Sequence, residues 1–344
     1  MKIAKFFFTA AMLLLMSFTK QYAQNPIATL NHLNTLKTFS GRYALKDAQA
    51  AATDGDVITL SAGMFEAVGI SKRITLRGAG NGIVTNGDTI MPPHTSVVGN
   101  FNIVAGAVND TILKIEGIRF SNQVTFAGVW SAEFLKCYFA NVDYRTDLGL
   151  TEQHKFIHCF IDDYDGGNKT SLDAWECYFK DAYFNGDSSK YNLYNCVISL
   201  LSNRDPSFTL NKVSMNNCII VNNSKGEASY MGSNSYAANC LWYGKTAQNG
   251  TNPFHVYGEN VHGYNPYNNH IFPTDKKLFK NEELGILSDE GKKYLGSDKT
   301  ELGIYGGSLP FNTTLSNPQI KKFEVAKKTT TDGKLEINIE LSQD

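Results

Sequence analysis

FLKCYFAN, at residues 134–141, recurs in variant form five more times along the middle of the chain. The other copies are FIHCFIDD (156–163), AWECYFKD (174–181), LYNCVISL (193–200), MNNCIIVN (215–222) and AANCLWYG (237–244). Each copy centres on a cysteine, and the gaps between successive cysteines are 22, 18, 19, 22 and 22 residues. A nearly constant period of about 20 residues is typical of repeat proteins whose units stack on one another.

Short β-rich pieces separated by Gly and Asn precede these repeats, and a helical pattern comes before them. About three short strands per 20-residue turn are typical of a β-helix, so the region 57–244 would supply about nine coils. At roughly 4.8 Å per rung, the stack would be on the order of 40 Å long. Residues 43–53 are alanine-rich with helical spacing, and we expect a helix there. Strands are expected at 57–60, 74–76, 97–98, 101–104, 112–115 and 124–126.

Alternation around each cysteine predicts which side chains face the core. The residues two before, at and two after the cysteine are mostly apolar, so we expect them to point inward and to stack like on like. The polar residues one before the cysteine and the mostly aromatic or aliphatic residues one after it are expected outside. Most residues four after the cysteine tolerate turns and should end the strand: Asn141, Asp163, Asp181, Leu200, Asn222 and Gly244.

Three further motifs carry a family resemblance. The text LKDAQAAATDGDVITLSAGMF followed by ISKRITLRGAGNG, within 45–82, resembles the opening of pectate-lyase-like right-handed parallel β-helix proteins. IEGIRFSN (115–122) is similar to their recurring coil strand, and LGIYGG (302–307) resembles the closing segment of secreted β-helix proteins from Gram-negative bacteria. The resemblance implies an all-β fold, a right-handed parallel β-helix of about nine or more coils with an N-terminal capping helix. The superfamily hosts lyases, hydrolases and adhesins, so the resemblance does not select an activity.

The two ends of the chain predict export and caps. Residues 1–24 have the basic start, short apolar core and small residue of a secretory signal. We expect residues 25–310 to form the β-helix domain with an irregular C-terminal cap, and residues 311–344 to form a β-hairpin and tail. Asp332-Gly333 lies between alternating segments, as a hairpin turn requires. The expected location is the periplasm, the outer surface or the medium of a Gram-negative bacterium.

Charge and hydropathy exclude two classes of partner. The formal net charge is −1, and removal of residues 1–24 takes away three lysines and no acid, leaving about −4. A mildly acidic chain without a basic cluster argues against binding to nucleic acid or to an anionic membrane. No second long apolar run follows the signal, so no transmembrane span is expected in the mature protein.

The even number of cysteines could indicate disulfides, a metal site or buried thiols. Equivalent residues in neighbouring rungs lie one strand spacing apart with parallel side chains, and a disulfide in that geometry would be strained. The chain has no paired Cys-x-x-Cys motif of the kind that holds a metal ion. The spacing favours a ladder of buried thiols that fill the core.

Residues with catalytic chemistry are sparse. The Arg-x-Pro-x-x-Arg element of pectate lyases is absent, and Asp162-Asp163 alone matches an element of the related hydrolases. Asp162, Asp163 and Asp165 are candidate calcium ligands, with Asp181 and Asp187 about one coil further on. Candidate bases or sugar-acid clamps are Arg145 and Arg204. The alternatives are an acidic turn in solvent and ordinary surface arginines.

The residues after the cysteines suggest a binding surface. Tyr138, Phe160 and Tyr178 begin an apolar stripe that continues through aliphatic residues, beside a polar row that contains His158. Exposed apolar patches usually mark contact sites, and aromatic rings beside polar groups suit sugar rings. The alternatives are that long loops or the C-terminal region cover the stripe, that a bulge turns both positions inward, and that His158 is a plain surface residue.

Taken together, these patterns favour a non-catalytic exported β-helix that binds an extended polysaccharide or a cell-surface partner along one side. No cofactor is expected unless the acids hold calcium. One alternative is a divergent polysaccharide lyase or glycoside hydrolase that uses the acids with Arg145 or Arg204. Another is an adhesin or structural envelope protein.

Overall fold

The computed structural model describes most of the chain after the predicted signal, with gaps that fall mainly between strands. The described residues are 25–82, 96–104, 112–127, 131–144, 153–167, 170–184, 189–200, 210, 212–223, 231–232, 234–244, 253–254, 267–312, 319–325 and 337–342. The predicted signal at 1–24, Asp187, Arg145, Arg204 and the turn Asp332-Gly333 lie outside them.

The elements follow the predicted pattern of one helix and many short strands. The N-terminal part forms β1 (Ile27–His32), β2 (Thr35–Ser40), α1 (Ala44–Ala51), β3 (Val57–Leu60), β4 (Gly63–Phe65), β5 (Val68–Ile70), β6 (Thr75–Arg77), β7 (Ser96–Val98), β8 (Phe101–Val104), β9 (Leu113–Glu116) and β10 (Ile118–Ala127). The cysteine repeats form β11 (Ala132–Leu135), β12 (Tyr138–Tyr144), β13 (Gln153–Ile157), β14 (Phe160–Asp165), β15 (Ser171–Trp175), β16 (Tyr178–Tyr183), β17 (Lys190–Tyr194), β18 (Val197–Leu200), β19 (Val213–Asn216), β20 (Ile219–Asn222), β21 (Tyr236–Ala238) and β22 (Leu241–Gly244). The C-terminal part forms β23 (His270–Ile271), β24 (Phe279–Asn281), β25 (Ile286–Leu287), a short 3-10 turn (Gly291–Lys293), β26 (Gln319–Val325) and β27 (Ile337–Ser342).

Two long sheets run along a parallel β-solenoid. Sheet A has 11 strands in the order β2-β1-β3-β6-β9-β11-β13-β15-β17-β19-β21. Sheet B has 12 strands, with the main path β23-β22-β20-β18-β16-β14-β12-β10-β7-β4 and with β5 and β8 beside it. The predicted parallel β-helix is therefore confirmed. Its regular column comprises about six turns, fewer than the nine predicted, because the cysteine-centred unit begins only at β11.

The residue before each cysteine makes the corner between the two sheets. All six of these residues have left-handed backbone, with φ between 47° and 55°. Their N–H groups still bond to the next turn, as in the 2.9 Å bond from Lys136 N to Ile157 O. The corner residues are Lys136, His158, Glu176, Asn195, Asn217 and Asn239.

This corner reverses part of the predicted facing. One left-handed residue shifts the inward–outward alternation by one position, so the residue three before the cysteine points inward instead of the residue two before it. Phe134 and Phe156 are fully buried, whereas Leu135 and Ile157 are partly exposed on sheet A. The prediction that Leu135, Ile157, Trp175, Tyr194 and Asn216 face the core is therefore wrong, whereas the equivalent residue of the sixth repeat, Ala238, is buried.

A second bend divides the longer strands of sheet B. Two consecutive residues of β14, Asp162 and Asp163, lie on the outside, between the buried Ile161 and Tyr164. The predicted turn positions therefore bend the strand in β12, β14 and β16 without ending it. In the later turns the strands do end there, at Leu200, Asn222 and Gly244.

The thiol ladder is present. All six cysteines are free and fully buried. Each thiol donates to the carbonyl two residues before it, with Sγ–O distances such as 3.2 Å from Cys177 to Trp175. The small side chain thus fills the core just after the corner, and its thiol shares a carbonyl that also accepts a backbone N–H from the preceding turn, as Trp175 O does from His158 N.

The first turn of the column is covered at its end, and the last part of the chain lies along one side. Helix α1 packs its buried residues Ala44, Leu45 and Ala48 on the first turn, as predicted. The antiparallel hairpin β1–β2 pairs with β3, a feature that we did not predict. Residues 270–312 form the C-terminal cover, which begins at β23 beside β22 and extends back along sheet B as far as Phe160. Strand β26 pairs antiparallel with β27. Among the described residues, no helix is long and apolar enough to span a membrane.

Candidate functional site

The predicted apolar stripe is present, but the C-terminal cover lies over it. Tyr138 pairs with Phe160 and Phe160 pairs with Tyr178 in neighbouring strands, and the last two rings stack with centroids 5.4 Å apart. Phe160 is only 5% exposed and Tyr178 only 4%. The stripe forms a second hydrophobic cluster with the cover residues Phe272, Leu278, Phe279, Leu287, Leu302, Ile304 and Phe311. The predicted open stripe is wrong for Phe160 and Tyr178, and the alternative of coverage by the C-terminal region is confirmed.

Tyr138 sits at the less buried end of the stripe. The guanidinium carbon of Arg119 lies 3.8 Å from its ring centroid. Its hydroxyl donates a hydrogen bond to the Asp162 carboxylate. Burial, together with that hydrogen bond, raises the pKa of Tyr138 to about 12. The hydroxyl therefore remains a donor at neutral pH and does not act as a base.

His158 is a corner residue under the cover and not a surface residue. It is buried, and its Nε2 lies 2.7 Å from the carbonyl oxygen of Leu309. Its ring also meets Phe311 edge to face, with centroids 5.7 Å apart. Burial lowers the pKa of the imidazole, so the ring is neutral at physiological pH. The prediction that His158 is exposed beside a ligand-binding stripe is therefore wrong, and so is the alternative that it is a plain surface residue.

The three candidate calcium ligands point to different protein partners. Asp162 accepts from Tyr138, Asp163 accepts from Asn141 Nδ2 at 2.7 Å, and Asp165 Oδ1 lies 3.4 Å from the N–H of Gly167. Among the described residues, no group of three or more His, Cys, Asp or Glu side chains is arranged to hold a metal ion. The calcium site remains a prediction without support from this geometry.

The same strands nevertheless carry an acidic patch. Asp143 is paired in register with Asp165, and Asp163 with Asp181. Gln123 Nε2 donates to Asp143 at 2.7 Å and so interrupts the row of acids on one side. Like charges directly opposite in neighbouring strands are destabilising, so the patch is maintained at some cost in stability.

The outer face of sheet A is the surface that sequence reasoning missed. Trp175 and Tyr194 lie in register on it, with ring centroids 5.6 Å apart and planes at 12°. Beside them, Asn192 Nδ2 donates to Asp173 at 2.7 Å, and Gln153 also donates to Asp173. All these side chains are partly or fully exposed. The face therefore combines a flat aromatic pair with a hydrogen-bonded row of amides around one carboxylate.

A signal for this face does exist in the sequence. Three of the six corner positions are asparagine, a residue that tolerates left-handed backbone better than most. A left-handed residue at that position would have moved Trp175 and Tyr194 to the outside. We assumed strict alternation through the corner, and that assumption places these two side chains inside.

No family model, curated protein or solved structure matches this chain. Function is therefore inferred from the parallel column and its surfaces.

Proposed function

We propose that the protein is a non-catalytic β-helix that binds an extended glycan along the outer face of sheet A. The observation that carries the proposal is the stacked pair Trp175–Tyr194 beside the amide–carboxylate row of Gln153, Asp173 and Asn192. Aromatic side chains offer large apolar contact area to the C–H faces of sugars. Carboxylates and amides bond to hydroxyl groups, and bonds to an ionised acceptor are the stronger ones.

The shape of this face supports a long partner rather than a small molecule. In-register pairing repeats the outward positions from strand to strand at roughly 4.8 Å. A flat, repeating surface can contact several units of a polymer, whereas small ligands are usually held in concave pockets. The partner proposed is a polysaccharide, on a cell surface or free in the surroundings.

The proposal also includes the superfamily and the cellular location of the protein. The opening motif at 45–82 and LGIYGG at 302–307 support membership of the pectate-lyase-like superfamily. The signal-like text at 1–24 supports export to the periplasm, the outer surface or the medium. An exported protein would meet glycans directly.

Binding to a glycan array and to insoluble polysaccharides, with residues 25–344 as the probe, tests this proposal. Trp175→Ala and Tyr194→Ala should each weaken retention about five- to thirtyfold, since removal of one well-packed aromatic contact costs on the order of 1–2 kcal/mol. Tyr43→Ala is the matched control, because Tyr43 is 56% exposed at the start of α1 and far along the chain from this face. The proposal fails if no glycan is retained, or if all three variants bind equally well.

A second candidate function, polysaccharide cleavage, is favoured by one observation. The carboxylate pairs Asp143–Asp165 and Asp163–Asp181 lie on one outer surface of sheet B, and Arg145 follows β12 directly in the chain. Incubation with uronic-acid polymers, with and without calcium, would yield unsaturated or reducing-end products from a lyase or hydrolase. Activity that disappears in Asp163→Asn would establish this function in place of simple binding.

A further inference from the structure

The corner residues form a polar row that the last part of the C-terminal cover encloses. We call residues 296–311 the strap. Leu309 O bonds to His158 Nε2 at 2.7 Å, and Ser297 N bonds to Asn217 Oδ1 at 2.9 Å. Gly303 N bonds to Asn217 O at 3.1 Å. The strap is thus attached to the row on both sides of Glu176.

Glu176 is the one carboxyl group in this enclosed row. It is only 4% exposed, and its Oε2 has no hydrogen-bond partner. The Nδ2 of neighbouring Asn195 is likewise buried without a partner. Gly307 leaves no room beside them, because a Cβ there would lie 2.9 Å from Glu176 Oε1 and 3.1 Å from Asn195 Nδ2.

The ionisable groups around Glu176 do not neutralise it. Asp298 lies in the strap and disfavours a negative charge on the carboxyl. His158 lies in the preceding turn of the row and is held neutral by burial. Among the described residues, no lysine or arginine forms an ion pair with Glu176. A buried carboxylate without a partner is costly, so the group takes up a proton when the strap is closed.

We propose that closure of the strap over the corner row is coupled to proton binding at Glu176, so that the strap opens more often when this carboxyl ionises. Opening would remove Phe311 from its edge contact with Phe160. It would also lift Gly303 from Val197 and Ile219, which lie against it. Part of the covered apolar stripe would then become accessible.

The direction of the pH dependence follows from the same burial. Desolvation first, and then the nearby Asp298, raises the pKa of Glu176 to about 8, above its ordinary value of 4.5. A carboxyl group whose pKa is raised in the closed state weakens that state as the pH climbs from the open-state value through the closed-state value. Closure is therefore tightest in mild acid and weakens up to about pH 8.

Native-state hydrogen exchange of strap peptides at pH 6.5 and pH 9, corrected for intrinsic exchange rates, tests the coupling. The opening equilibrium constant of the wild-type strap should increase about tenfold between these two pH values. This is less than the full pKa difference would give, because water that reaches the site reduces the effect. Glu176→Gln should abolish the increase. Glu290→Gln is the matched control, since Glu290 pairs on the surface with Lys276 and Lys293; it should keep the increase.

Two outcomes overturn the proposal: an equal increase in Glu176→Gln and wild type, or no increase in the wild type. Peptides from β17 provide an internal reference for opening of the whole column. If the glutamine variant fails to fold, Glu176→Met supplies a second neutral side chain for the same comparison.

Discussion

The Nε2 atom of His158 lies 2.7 Å from the carbonyl oxygen of Leu309, although 151 positions separate the two residues in the chain. This contact joins the second cysteine repeat to the end of the C-terminal cover. The cover that it anchors buries the aromatic stripe around Phe160. The cover is therefore part of the folded column and not an appendage to it.

Loss of this contact should destabilise the protein. His158→Ala removes the donor of a part-buried hydrogen bond and the ring that meets Phe311, at a cost of about 1–3 kcal/mol in the free energy of unfolding. Leu309→Ala is the control, because the side chain is 62% exposed and the backbone oxygen is unchanged. Urea unfolding should separate the two variants clearly. Equal stability would mean that the contact contributes nothing.

Two glycines should respond differently to alanine. Gly303 has φ +77°, and a Cβ there would lie 2.9 Å from Val197 Cγ2 and 3.0 Å from Ile219 Cδ1. Gly41 has φ +97° but nothing within 4 Å of a Cβ. Gly41→Ala should cost about 1 kcal/mol through backbone strain alone. Gly303→Ala should cost about 1–3 kcal/mol more, because the buried side chains cannot move aside. Thermal unfolding of both variants measures this difference.

His154 should make the protein sensitive to acid. It is 1% exposed, lies 4.5 Å from the ring of Phe126, and burial lowers its pKa to about 3. The unfolded chain takes up a proton near pH 6.5, whereas the folded chain does not. Stability should therefore fall between pH 6.5 and pH 3, by up to about 4 kcal/mol.

Substitution of this histidine should remove that loss. His154→Phe keeps an aromatic ring in the same stack and cannot be protonated, so its unfolding free energy should vary much less across this range. His270→Phe, at a partly exposed position of the cover, serves as the comparison. A slope that persists in His154→Phe would assign the acid sensitivity to other groups.

The cysteines should be free but unreactive in the native protein. All six are fully buried, and burial raises the pKa of the Cys177 thiol. Alkylation without reductant should modify none of them in buffer and all six in denaturant, as counted by mass spectrometry. Fewer than six additions in denaturant would reveal disulfides. Cys177→Ala should cost about 1–2 kcal/mol, because it leaves a small cavity and removes the thiol hydrogen bond to Trp175 O.

Most of the architecture was predictable because it is local and repeated. The helix expected at 43–53 is Ala44–Ala51, and the strand expected at 101–104 is Phe101–Val104. The vertical pairing of Tyr138, Phe160 and Tyr178 followed from the period alone. Periodic spacing identifies which residues occupy the same place in each turn, and stacking then determines their neighbours.

The errors arose where one backbone conformation or one distant contact controls the outcome. The left-handed residue at Glu176 changes the side on which Trp175 lies, and alternation of apolar residues does not report it. The position of Phe311 over Phe160 depends on a segment without any period. Candidate sites were therefore chosen on the right strands but partly on the wrong surface.

Identical corners have a consequence for how such a chain can change its length. Lys136 and His158 share φ 52°, and the backbone N–H of each bonds to the turn that follows it, at Ile157 O and Trp175 O. A segment such as 136–157 is thus a self-contained module, and its duplication or deletion returns the backbone to the same phase. Tandem copying of this segment in a gene can lengthen the column by one turn at a time, while helix α1 and the C-terminal cover keep their own partners.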